Sequence, residues 1–258
     1  ARISGSGVGR EVYVTARNVG AGTLEISAPL VGGSGTRSYT FERYRYMLDF
    51  SGFSELSKFE MSDIEFLCGG TASGIILAST GNTFRVADSV FNRPKDRGLT
   101  SFNQGCQGLL LDHCQFLSNE QEVRVQDRTT IMFNVGQNDS KIRNCRGVKF
   151  ATTAVMQGTG HMFVGNHFFQ GDGEPSGVRR AGIVLTTPNS KTMITGNYID
   201  NCFIELTNEH EPEPDIGTQF SFGGLTITVN TFTAQGVGAS FSWIVITPRG
   251  TGHFVSGL

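Results

Sequence analysis

An eight-residue segment that recurs seven times constrains this chain more than any other feature. Phe59–Phe66 (FEMSDIEF), Phe84–Phe91 (FRVADSVF), Leu109–Phe116 (LLLDHCQF), Ser140–Gly147 (SKIRNCRG), His161–Phe168 (HMFVGNHF), Thr192–Ile199 (TMITGNYI) and Leu225–Phe232 (LTITVNTF) align without gaps. Their last residues, at 66, 91, 116, 147, 168, 199 and 232, lie 25, 25, 31, 21, 31 and 33 residues apart, within the ~20 to 50 residue period of stacked repeat folds. Gly147 is the one exception to an apolar anchor column. Five residues before each anchor stand Met61, Val86, Leu111, Ile142, Phe163, Ile194 and Ile227, all apolar where only 38% of the chain is.

Each segment is short, rich in β-branched and aromatic residues, and bounded by Gly, Asn and Ser, which is strand chemistry. No stretch sustains helical periodicity. Further strands are expected between anchors at Gly74–Leu77, Ala154–Met156, Gly182–Leu185, Phe203–Ile204 and Trp243–Ile246. Two or three short strands per turn, with equal turns stacked ~4.8 Å apart, predict an all-β fold: a parallel β-helix (solenoid) of about seven rungs over residues 57–258. Residues 1–56 differ. Val12 and Val14, Leu24 and Ile26, and Tyr39 and Phe41 alternate with polar neighbours, predicting an antiparallel segment that caps the coil's first edge.

The 34 glycines and 20 phenylalanines suit a turn-rich chain that buries a real core, which argues against disorder. A net charge of −2 and a pI near 6.2 give no reason to gather phosphates, so nucleic acid is not an expected partner. No apolar run reaches the ~18 residues needed to cross a bilayer, so no membrane insertion is expected. The chain opens at Ala1 rather than Met, as a processed product or part of a longer polypeptide would. Cys68, Cys106, Cys114, Cys145 and Cys202 form an odd set without a CxxC; they are expected to be buried free thiols.

Two residues before the anchors, Asn166, Asn197 and Asn230 are expected to stack as a structural amide ladder, with Cys114 and Cys145 as filler in the same column. Beyond the anchors, equal offsets mean equal places on the outer wall. Glu120 and Asp172 share one offset, Glu122 and Glu174 another, two rungs apart. Two steps of ~4.8 Å bring such pairs near the ~6.5 to 9.5 Å separation of inverting glycosidase carboxylates, which makes these four the candidate catalytic acids. Arg97, Arg124, Asp127 and Arg128 in neighbouring turns are candidates for orienting a sugar. Charged turn residues are by default simply solvated, and that reading stays open beside it.

Glu205, Glu209, His210, Glu211, Glu213 and Asp215, interrupted by Pro212 and Pro214, form an acidic stretch. It lacks the alternation of a calcium loop, so no metal is assigned. His210 beside Glu209 is a candidate acid/base or sugar-binding group, with a simply solvated loop histidine as the open alternative. Trp243 offers either a sugar platform or core packing, and Arg180, after Arg179, offers either a contact for an acidic sugar or a charge that only solubilises a loop. His161 and His167, six residues apart, are expected on one side of the chain without a shared metal. No cofactor motif is present.

The rung strings Val164–Phe168 (VGNHF) and Thr195–Ile199 (TGNYI) resemble the right-handed β-helices of pectate-lyase-like proteins, phage tailspikes and glycoside hydrolase family 28 relatives. Arg43–Phe53 (RYRYMLDFSGF), Asn92–Leu99 (NRPKDRGL), Thr159–Asn166 (TGHMFVGN), Thr207–His210 (TNEH) and Thr247–Gly250 (TPRG) are similar to β-helical proteins encoded by alphaproteobacterial phages and gene transfer agents. That resemblance implies a trimeric tail fibre or head spike on the surface of a virion or phage-like particle. Its partners would be the other particle proteins and the surface polysaccharide of a host or recipient cell. The family 28 hydrolase signatures are absent: Gly171-Asp172-Gly173 has a single Asp, and Gly160-His161-Met162 lacks the second Gly. A non-catalytic adhesion module is therefore the leading expectation, with a capsule depolymerase as the alternative.

Overall fold

The computed structural model describes residues 2–5, 14–26, 39–42, 46–95, 97–100, 106–117, 138–148, 152–170, 181–207, 221–234, 242–247 and 254–256. Among them every regular element is a β-strand. The seven segments fold alike. The first half of each enters one seven-stranded sheet, sheet A: Phe59–Ser62, Phe84–Ala87, Leu110–Asp112, Lys141–Arg143, Met162–Val164, Met193–Thr195 and Thr226–Thr228. The second half enters sheet B: Glu65–Leu67, Val90–Asn92, Gln115–Leu117, Arg146–Val148, His167–Phe169, Tyr198–Asp200 and Thr231–Thr233. Both sheets are parallel throughout, with strands in repeat order.

The register follows the sequence columns. Phe66, Phe91, Phe116, Gly147, Phe168, Ile199 and Phe232 pair in turn across sheet B. Met61, Val86, Leu111, Ile142, Phe163, Ile194 and Ile227 pair in turn across sheet A. Both columns face the core, which is fully buried from Val86 to Ile199. A single strand could not do this, because residues five apart point to opposite faces. The alternation is reset by a residue in the left-handed region three before each anchor: Asp63, Asp88, His113, Asn144, Gly165, Gly196 and Val229, with φ from 47° to 66°. A second such column, Lys58, Thr83, Gly108, Asp139, Gly160, Lys191 and Gly224, opens each repeat with φ from 54° to 72°. Asp, Asn and Gly tolerate this conformation, whereas a β-branched side chain is strained in it. The same reset separates two histidines expected on one side: His161 is buried inside, while His167 is half-exposed on the outer face of sheet B.

The expected third strands form two further parallel sheets. Ser73–Ile76 lies between Tyr46–Asp49 and Leu99–Thr100. The backbone there approaches closely enough that a Cβ on Gly74 would sit 2.0 Å from the Gly98 carbonyl oxygen. In the other sheet Ala154, Ile183, Ile204 and Ile244 pair in succession, and Ala181–Ser190 runs on to pair with Ser221–Gly223. Antiparallel pairing occurs near the N-terminus, between Arg2–Gly5 and Tyr39–Glu42 and between Val14–Asn18 and Thr23–Ile26.

The amide column stacks as a ladder. Asn166 Nδ2 donates to Asn197 Oδ1 at 2.9 Å, and Asn197 Nδ2 donates to Asn230 Oδ1 at 2.9 Å. Each Oδ1 also accepts a backbone N–H of the preceding repeat: the Cys145 N–H donates to Asn166, that of Asn166 to Asn197 and that of Asn197 to Asn230, at 2.9 to 3.0 Å. The column thus satisfies polar groups that would be costly to bury unpaired. All five cysteines are buried and free.

Candidate functional site

Strand alternation turns the residues one before and one after each anchor to the outside of sheet B. From repeat four to repeat seven the first of these rows runs Arg146, His167, Tyr198, Thr231, each paired with the next. The second row runs Val148, Phe169, Asp200, Thr233 in the same register. Arg146, Tyr198 and Thr231 are exposed; the others are half-buried.

These side chains contact one another across repeats. The His167 and Tyr198 rings stack with centroids 4.5 Å apart and planes 13° from parallel, the separation that parallel strand spacing imposes on rings in register. Phe169 lies 6.4 Å from His167, ring to ring. Thr233 Oγ1 lies 2.5 Å from Asp200 Oδ1 and 3.3 Å from Tyr198 Oη, which ties the last repeat to the one before. His167 Nε2 sits 3.9 Å from Asp200 Oδ2, beyond hydrogen-bond reach. Burial pushes the His167 pKa down, the nearby Arg146 charge pushes it the same way, and Asp200 pulls it up. The ring is therefore neutral near pH 7, with one nitrogen a donor and the other an acceptor.

The stacked rings turn their flat sides to each other and leave their edges outward. The patch offers a guanidinium, an imidazole edge, a phenol, two threonine hydroxyls and a carboxylate, all on sheet strands held at ~4.8 Å steps. This is a chemistry for hydrogen-bonding a polyhydroxylated ligand laid along the stack.

Of the groups singled out in the sequence, Glu120, Glu122, Arg124, Asp127, Arg128, Asp172, Glu174, Arg180 and His210 lie outside the described residues. Arg97 is buried at 4% exposure, with its backbone N–H 3.3 Å from Ser73 Oγ and Nη1 3.4 Å from Thr100 Oγ1; its guanidinium is not offered to the outer surface. Glu205 is also buried, within the strand Phe203–Thr207. Trp243 is 36% exposed, its ring tilted against Phe232 with centroids 5.6 Å apart and its carbonyl accepting the Ile204 N–H. It combines packing with an exposed edge. His167 and Tyr198 stand one before their anchors and Asp200 and Thr233 one after theirs, so the aligned repeats already put all four in the columns that flank the anchors.

No protein-family model, curated protein or solved structure matches the chain.

Proposed function

We propose that the sheets are the walls of a right-handed parallel β-helix, capped near its N-terminus by the antiparallel strands, and that the chain is a fibre or spike component of a phage-like particle. In this reading it is a tail fibre or head spike, of a virion or gene transfer agent, assembled as a homotrimer. It binds cell-surface polysaccharide of the host or recipient without cleaving it. The observation that carries the binding part is the exposed row Arg146, His167, Tyr198 and Thr231, with Asp200 and Thr233 beside it. A rigid wall that repeats hydrogen-bonding groups at a fixed step suits a polymer that repeats hydroxyl groups. Individual contacts of this kind are weak, and several copies on one particle raise apparent affinity by ~10² to 10⁴.

The test is retention of the purified protein on capsular polysaccharide from candidate host cells, with reducing-sugar release measured in parallel. Binding without release is expected. Tyr198→Ala and Asp200→Asn should each weaken retention about tenfold or more, equivalent to ~1.4 kcal/mol, while the far-ultraviolet spectrum stays that of the parent. Release of oligosaccharide would overturn the non-cleaving reading in favour of a depolymerase. Undiminished retention in both variants would remove this face as the site.

A further inference from the structure

Among the five thiols, two stand in adjacent repeats at the same position. Cys114 and Cys145 lie between residues paired on either side, Asp112 with Arg143 and Gln115 with Arg146. Their Cα atoms are thus about one strand spacing, ~4.8 Å, apart, inside the ~4.4 to 6.8 Å range that a disulfide spans. Each directly follows an exposed corner residue, His113 or Asn144, and is itself buried. Cys114 Sγ is 3.4 Å from the carbonyl oxygens of Val86 and Asp112, and Cys145 Sγ is 3.2 Å from that of Arg143.

We propose that Cys114 and Cys145 are a peroxide-reactive dithiol that closes to a disulfide across adjacent repeats. The proximity of the two thiols draws the Cys114 pKa down and, together with burial, raises that of Cys145. Of the two, Cys114 is thus the sulfur that ionises more readily. A thiolate rather than a thiol is the reactive form.

The chemistry balances with hydrogen peroxide as oxidant. The Cys114 thiolate attacks one peroxide oxygen, the O–O bond breaks, and the departing hydroxide takes up a proton to leave as water. Cys114 is now a sulfenic acid. The Cys145 sulfur attacks that sulfur, the S–O bond breaks, and the leaving hydroxide carries off the Cys145 proton as a second water. Two thiols lose two electrons and two protons, and one peroxide becomes two waters. The bond would tie together the strands on either side of residues 118–137, the segment that carries Glu120, Glu122, Arg124, Asp127 and Arg128.

The remaining cysteines serve as internal controls. Cys68 has Met47 Sδ at 3.7 Å, and burial pushes its pKa up to about 11. Cys106 lies near the carbonyls of Leu56 and Thr80, and Cys202 near that of Phe168; burial raises both.

The experiment treats the folded, reduced chain with dilute hydrogen peroxide, removes the excess with catalase, alkylates in denaturant without reductant, and maps peptides by mass. The expected product is a single cross-link joining the Cys114 and Cys145 peptides, lighter by two hydrogens and separable by reductant, with Cys68, Cys106 and Cys202 alkylated. Cys145→Ser should abolish the cross-link. Because the decisive readout uses the unsubstituted chain, a folding defect in that variant does not affect it. Three results would overturn the proposal: both thiols still alkylated after peroxide, sulfinic acid accumulating on Cys114 without a cross-link, or a cross-link through any other cysteine.

Discussion

The first three and last three repeats bend at the same place by the same backbone device, yet different side chains secure them. In the repeats ending at Phe66, Phe91 and Phe116 the anchor rings stack, with centroids 4.6 Å apart and planes within 8° of parallel. The residues beside that bend are Ile64, Ser89 and Cys114. In the repeats ending at Phe168, Ile199 and Phe232 the anchors are mixed, and the bend is secured by the ladder Asn166, Asn197, Asn230. Corner φ values overlap, 47° to 60° in the first group and 55° to 66° in the second. The bend is therefore a backbone property that either chemistry accommodates. What differs is directionality: ring stacking and burial tolerate a small lateral slip, whereas an amide oxygen serving both the neighbouring amide and a backbone N–H fixes one register. Repeat four is the seam. Gly147 ends the ring stack, and the Cys145 N–H donates to Asn166 Oδ1, the first amide of the ladder.

The sharpest way to break the first half is Phe91→Ala. That ring is fully buried between two others, and its loss should cost about 3–5 kcal/mol in urea or thermal unfolding. A loss below ~1 kcal/mol would mean that the stack is not what holds these repeats. In the second half, Asn197→Ala removes an amide that donates to the Phe163 carbonyl and to Asn230 Oδ1 while accepting from Asn166. It should cost about 2–3 kcal/mol, because buried partners are left unpaired. Cys114→Ala in the same column of the first half should cost ~1 kcal/mol less or better, and equal losses would erase the distinction between the halves.

The smallest effect has the opposite sign. Val229 holds a β-branched side chain at φ 55° and is 85% exposed, so it has little burial to offset the strain. Glycine, found at the two preceding corners, should relieve ~1–2 kcal/mol of strain against ~0.5–1 kcal/mol of added chain entropy. Val229→Gly is expected to raise the unfolding midpoint by a few degrees, and a lowered midpoint would show that the valine is not strained there.

Much of the frame was legible because it is local and periodic. Every anchor, and every residue five before it, pairs with its counterpart in the next repeat. The amide ladder follows from Asn at a fixed offset. Less legible were the corners. Asp63, Asp88, Asn144, Gly165 and Gly196 are residues that favour a left-handed bend, but Val229 is not, and only the backbone shows one conformation shared by all seven. Arg97 looked like a surface cation because arginine usually is one, and its burial depends on the packing of Ser73 and Thr100 around it.

By itself the sequence determined the strand pattern, the repeat register and the inward columns, since a residue's place relative to its own anchor decides which way it points. Tertiary structure alone decided which of the side chains so aligned come into contact, and in what geometry. His167 reaches Tyr198 across 31 residues and Thr233 reaches Asp200 across 33. The same stacking sets Cys114 against Cys145. Those contacts depend on connections of unequal length returning the chain in register and on how the side chains then pack, which a residue's offset from its anchor does not encode.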